Sequence, residues 1–448
     1  MARYFTRDEA RALAEKALSF SSADEARVNI SSGEEGNTRF AVNQVSTAGD
    51  IYDSSLVVTS AFGKKVASAR TNRFDDESIR RVVETSEELA RLVPENPEYM
   101  GELGPQDYAQ VDGLAQATAD LTPEQRAAMV TRVTEPAAAR DLLSTGFLVH
   151  NAGSQAVATS KGLFAYATSS RSNFTTTVRT PDGTGSGWAG GGSYDISRLD
   201  VDSMAERAIE KAEMSRNPRA VEPGRWTVIL EPTAVANMVS LMMRSMSARS
   251  ADEGRSFFSK QGGGNRIGEQ VVDERVTIYS DPGHPDLRGN PFSGEGLPNR
   301  RMVWIEDGSV RNLVYNRFWA DRQGVQPTGF PSGFYMEGGD STVEDMIRST
   351  ERGLLVTRFW YIRGVDPRTI LYTGLTRDGT FLVENGRISH AVKNLRWNES
   401  PVFLLNNIEM MGRPMPASAS ESGSAGSTVM VPAIKARDFT FTSLSDAV

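Results

Sequence analysis

The sequence predicts an α+β protein in two halves, with helices packed on largely antiparallel sheets. Three observations carry that prediction. Short β-prone runs recur between turn signals such as "PDG", "EDG" and "ENG", which suits antiparallel pairing. Between them lie stretches with apolar residues at helical spacing, several behind N-cap signals. At 217–224, "NPRAVEPG" interrupts both patterns and divides the chain into an N-terminal α+β domain, 1–220, and a strand-rich C-terminal α+β domain, 221–448. A chain of 448 residues is long enough for two or three domains with large cores.

The elements follow in order. Residues 7–19 read as a helix with Ala10, Leu13, Ala14 and Ala17 on one face. Strands are expected at 25–31 and 38–48, then a hairpin over 54–70 turning at "FGKK". "DDESIRRVVETSEELARL", 75–92, is acidic in its first turn and apolar at helical spacing, as a helix start requires. A loop-rich link, 94–122, leads to "TPEQRAAMVTRVTEPAAARDLL". There Thr122, Pro123 and Gln125 make a capping-box start. From 145 to 195 the pattern is an antiparallel meander with turns at "NAGS", "SKG" and "PDG", and a helix at 200–215 closes the half.

In the second half, "WTVILE" (226–231) starts a strand. The stretch "ANMVSLMMRSMSARSADEGRSFF" (236–258) reads as an amphipathic helix running into a loop. Val235, Met238, Val239, Met242 and Met246 form its apolar stripe, and Asn237, Ser240, Arg244 and Ser247 share its polar side. "RVTIYSD", "RMVWIEDGSVRNLVY", "LLVTRFWYI", "TILYTG", "GTFLVENGRISHAV" and "VFLLNNIEMMG" are strand runs bounded by Asp-Gly and Asn-Gly turns, with one helix at 342–351. "PASASESGSAGST", 416–428, is small and polar and reads as a mobile loop before a final strand pair at 429–435 and 437–443.

Composition excludes several functions. Lys plus Arg total 49 and Asp plus Glu 57, a formal charge of −8 that offers no electrostatic footprint for DNA or RNA. The first twenty residues mix charge with apolar residues and do not read as a signal peptide. No segment approaches the roughly 20 apolar residues of a membrane span, so the expected location is the cytoplasm. The absence of cysteine removes disulfides, thiolate nucleophiles and Cys-ligated metals. The three histidines, His150, His284 and His390, are too far apart to share a helix turn, and each reads as a loop or strand-end residue with an ordinary hydrogen bond. The Gly-rich "GTGSGWAGGG", 183–192, has no helix pattern behind it and reads as a flexible hairpin, not a phosphate cradle.

Six segments, in order, resemble the TldD/TldE (PmbA) family: "TRFAVNQVSTAG", "ATSKGLFAYATSSRSNF", "NPRAVEPGRWTVILEPTAVANMV", "NPFSGEGLPNRRMVWIEDGSV", "FLVENGRISHAVKNL" and "SAGSTVMVPAIKARDFTF". The resemblance spans nearly the whole chain and implies a peptidase assembly. In that family the TldD subunit carries an HExxxH helix and a C-terminal Cys that bind a zinc-type metal. TldE is its metal-free partner, and the heterodimer degrades unfolded peptides or processes precursor peptides. Two imidazoles and a third ligand leave one metal position open, where bound water ionises near neutral pH, and the glutamate takes its proton.

Aligning "GRSFF" with the family's end of this segment lays HExxxH over Val239–Arg244. Val239 then stands for the first His, Ser240 for the Glu and Arg244 for the second His; the same counting puts Ala425 at the Cys. A serine cannot act as this base, and an arginine that stays protonated cannot bind a cation. The resemblance therefore implies a TldE/PmbA-like subunit without catalytic residues, metal or cofactor of its own. Its expected partners are an HExxxH-bearing TldD-like subunit, which would hold the zinc, and an unfolded or precursor peptide. Arg244 is the candidate peptide or partner contact. A stand-alone homodimeric peptide-binding protein is the alternative, and a non-metal hydrolase a third class, though no Ser-His or Asp dyad is visible.

Overall fold

The computed structural model describes residues 4–329, 333–418 and 428–445. The chain opens with α1 (Arg7–Phe20), a meander of β1 (Glu25–Ala41), β2 (Gln44–Phe62) and β3 (Lys65–Thr71), and α2 (Asp76–Leu92). A single turn, α3 (Gln116–Ala119), precedes α4 (Pro123–Ala139); β4 (Leu143–Thr159), β5 (Phe164–Arg179), β6 (Ser186–Ser193) and α5 (Val201–Met214) follow. The strands form one antiparallel sheet in the order β3-β2-β1-β4-β5-β6. The expected capping box of Thr122 with Gln125 is present, a second one of Thr6 with Glu9 starts α1, and Asp75 caps α2. All four long helices cover one face of the sheet. α1 and α2 bury Ala10, Ala14, Ile79 and Val83 against Val28, Ile30, Leu56 and Val58, while α4 and α5 cover Phe40, Leu148, Phe174 and Val178.

Three local expectations are corrected here. The strands expected at 25–31 and 38–48 belong to one long hairpin, β1 running unbroken to Ala41 and turning at Val42 and Asn43. "NAGS" is no turn: it lies inside β4, where pairing to β1 and β5 on both sides outweighs the local turn preference. The Gly-rich segment is also no flexible hairpin. Ser186–Ser193 is β6, and α5 lies so close that a Cβ on Gly187 would stand 2.1 Å from the Ala208 carbonyl oxygen.

The remaining chain is built around β7 (Gly224–Leu230), α6 (Pro232–Arg244) and α7 (Ala248–Asp252). Then come β8 (Ile278–Ser280), β9 (Met302–Glu306), β10 (Ser309–Val310), α8 (Arg317–Gln323), β11 (Tyr335–Met336) and α9 (Val343–Arg348). Long strands β12 (Arg352–Asp366) and β13 (Leu371–Glu384) are followed by β14 (Arg387–Ala391), β15 (Leu395–Glu399) and α10 (Pro401–Asn406). The last strands are β16 (Ile408–Met411), β17 (Met415–Ser418), β18 (Thr428–Val431) and β19 (Ile434–Leu444). One sheet runs β10-β9-β8-β11-β18-β17; the other runs β12-β7-β19-β15-β13-β14, with β16 on β19, and a β12–β13 pairing closes it on itself. The result is α+β throughout, as expected.

Asp307-Gly308 and Asn385-Gly386 are hairpin turns with positive φ at both residues, 49° and 72°, and 50° and 79°. Asp378-Gly379, read as ending a strand, is instead a bulge inside β13, with φ of 53° and 118° and a register shift opposite Val356 and Arg358. "VFLLNN", read as strand, is α10, because Ser400 caps it and Pro401 supplies its first turn. The loop expected at 416–428 is strand at its described ends, β17 and β18; residues 419–427 lie outside the described residues. Among the described residues no helix is long and apolar enough to cross a membrane.

Candidate functional site

α6 follows β7 directly, with Glu231 as N-cap and Pro232 at the first helical position. Every residue from Thr233 to Met243 is buried, so the amphipathic reading is corrected: β7, β12, β17, β18 and α10 surround the helix. Val239 and the neighbouring Met238 and Met242 are fully buried in the largest apolar cluster. Each such side chain contributes about 1.5–3 kcal/mol relative to exposure. Asn237 and Ser240, expected on a polar face, are also buried, and the Ser240 hydroxyl has no hydrogen-bond partner among the described residues. Arg244 alone of the expected polar side is exposed, in the last turn, where its charge suits the helix C-terminus. It forms no ion pair among the described residues. Ala425 lies outside the described residues, although the strands on either side of its segment, β17 and β18, pack on α6.

The donor set at these positions does not fit a zinc ion. Val239 offers no lone pair, Arg244 stays protonated, and Ser240 would be a lone, neutral ligand. Of the histidines, His150 is neither in a loop nor at a strand end: it is fully buried in mid-β4, because the sheet continues past it on both sides. It lies with Glu34 and Asp50 in a group whose spacing could hold a cation. The buried Arg126 guanidinium already occupies that role, with Nη1 donating to His150 Nε2 at 3.0 Å and Nη2 2.7 Å from Asp50 Oδ1. Burial first, and Arg126 second, push the His150 pKa below its ordinary value. His284 Nδ1 accepts from the Asp286 amide at 3.1 Å, and His390 lies 3.1 Å from the Ser389 hydroxyl.

Sequence reasoning missed a second place, the sheet face turned away from the helices. Registers Glu35↔Asn151↔Arg171 and Gly33↔Gly153↔Ser169 place these residues side by side across β1, β4 and β5. They floor a cavity of about 510 Å³ walled by Arg288, Gly289 and Asn290 of the β8–β9 loop. The floor is flat because Gly33 and Gly153 face each other; a Cβ on either would stand 2.7 or 2.5 Å from a carbonyl oxygen of the paired strand. Asn290 Nδ2 to Gln155 Oε1 at 3.1 Å, and Asn29 Nδ2 to the Gly294 carbonyl at 2.7 Å, pin the wall to the floor. A second cavity opens beside it and shares Ser170, Arg171, Arg288 and Gly289; Tyr279, His284, Tyr335 and Arg300 line it as well. Beyond β3, residues 44–55 of β2 pair with β1 only, which leaves an open strand edge among the described residues.

Three consecutive family models match the chain: PmbA/TldA metallopeptidase domain 1 over residues 26–90, the central domain over 117–216 and the C-terminal domain over 223–443. A metalloprotease of Methanothermobacter thermautotrophicus is 22% identical over 259 residues, 54% of each chain. Metalloprotease PmbA of Escherichia coli is 24% identical over 208 residues, 45% of each. The matched part thus spans about half the length of these curated relatives. The crystal structure of TldE from Thermococcus kodakarensis has the same fold, with a TM-score of 0.85 at 19% identity over 97% of this chain and 100% of that one. Motif order, domain order and fold agree from end to end: the chain belongs to the PmbA/TldD/TldE metallopeptidase family.

Proposed function

We propose that this chain is the metal-free, TldE/PmbA-like subunit of a two-subunit peptidase. It completes the chamber and holds extended peptide, while a TldD-like subunit with HExxxH supplies zinc and the catalytic glutamate. The observation that carries this reading is the burial of Val239 in the core with Ser240 beside it, the two residues that the resemblance lays over the family's His and Glu. The open edge of β2 supports the holding role, since a peptide strand added there gains main-chain hydrogen bonds whatever its sequence. The two domains, divided near residue 220, would form the two walls.

The test is reconstitution. After dialysis the purified chain should retain no stoichiometric zinc and cleave no unstructured peptide. Adding the HExxxH-bearing homologue from the same organism should yield cleavage that a chelator abolishes. Chelator-insensitive cleavage by this chain alone would overturn the reading, and failure to associate with that homologue would favour the homodimeric peptide-binding protein.

A further inference from the structure

The cavities beside the sheet floor hold three arginines, Arg171, Arg288 and Arg300, that form no ion pair among the described residues. Arg171 lines both cavities and is itself exposed. Desolvation by the protein around it lowers its pKa from the ordinary arginine value, with no neighbouring carboxylate offsetting it. Arg288 donates from Nη1 to the Gly283 carbonyl at 2.7 Å, while its buried Nε has no partner among the described residues. Arg300 adds a third guanidinium at the exposed rim.

The acids nearby are already engaged. Asp286 pairs with Arg198 at 3.0 Å, and Asp281 accepts from the Gly283 amide at 2.8 Å. Glu35 accepts from Asn151 at 2.9 Å, and Asp53 pairs with Arg70 at 3.3 Å. A buried guanidinium nitrogen with no partner among the described residues, such as Arg288 Nε, is costly to keep. The planar fork of a guanidinium matches a carboxylate, and bonds between charged groups are about twice as strong as neutral ones.

We propose that Arg171 and Arg288 form a carboxylate subsite where the two cavities meet, taking the carboxylate of an extended peptide that lies along the Gly33–Gly153 floor. This rests on the reading of the chain as a peptide-holding subunit. The floor admits a main chain at Gly33 and Gly153, which carry no side chains, and the arginines then fix which part of the peptide stops there. The carboxylate is supplied by the peptide's C-terminus or by an acidic side chain.

The full-length chain is titrated with three dansylated, unstructured peptides of Gly, Ser, Thr and Val: a free acid, its C-terminal amide, and the amide with one internal Glu. The free acid should bind at least about tenfold more tightly than the amide. If the Glu-containing amide recovers that gain, the subsite reads side-chain carboxylates; if it does not, it reads the C-terminus. Arg171→Gln should erase most of the difference between free acid and amide, and Arg171→Lys should restore part of it. Equal binding of all three peptides would overturn the subsite and leave the peptide-holding role intact. Binding of none would overturn both. The wild-type comparison requires no variant to fold.

Discussion

Helix α6 and the floor formed by β1, β4 and β5 both place polar residues on regular backbone, but what surrounds those residues differs. Around α6, strands and a helix close every side, so Ser240 sits in apolar packing and Val239 is core. On the floor, a loop stands off from the sheet, paired glycines keep the surface flat, and two arginines form no ion pair among the described residues. In the first region, Val239 and Ser240, which the resemblance lays over a TldD-type metal motif, are packed as core. The second has kept space and charge that packing does not require. Within one chain, the two regions therefore differ in what they leave open: the helix is sealed, and the cleft offers space and arginines with no ion pair among the described residues.

The sharpest way to break this contrast is to charge the sealed region. Val239→Asp should destabilise the chain by roughly 4 kcal/mol or more, because a carboxylate there is buried without a partner. Urea unfolding reads the change, and a loss below about 1 kcal/mol would mean that α6 is not sealed. A smaller effect is expected on the floor. Gly153→Ala would drive a Cβ to 2.5 Å from the Ser32 carbonyl oxygen and 3.0 Å from Gly33 Cα, where backbone must move. A cost of about 1–3 kcal/mol in thermal unfolding is expected. An unchanged melting temperature would show that β1 and β4 can part there without penalty.

The smallest effect concerns the helix-covered side of the same sheet. His150 accepts from Arg126 and is buried, and its pKa in the folded chain lies below the ordinary value of 6.5. On acidification the unfolded chain takes up this proton first. The contribution is therefore fully present above that value and lost as pH falls from it toward the folded pKa. Melting temperatures should drop between about pH 7.5 and about pH 5.5, and His150→Gln should flatten part of that slope. Glu34, Asp50 and Arg126 face the ring, and a slope unchanged in the variant would show that His150 does not carry the dependence.

Sequence by itself determined the features that a few neighbouring residues can specify. Thr6 with Glu9 and Thr122 with Gln125 start helices because a side-chain oxygen satisfies an amide within three residues. Asp307-Gly308 and Asn385-Gly386 turn hairpins because those residues accept positive φ. The six motifs resemble the family's, and that resemblance lays Val239, Ser240 and Arg244 over its HExxxH positions. Tertiary structure alone decided which polar residues meet water and which meet protein. Asn237 and Ser240 look like a solvent face by periodicity, yet strands far along the chain cover them. "NAGS" has turn composition, yet pairing on both sides holds it extended. Gly33, Gly153, Arg171 and Arg288 carry no shared pattern, since they meet only through the β1–β4–β5 register and a loop from the other half. Register depends on the sum of long-range pairings and packing, and no window of neighbouring residues contains that sum.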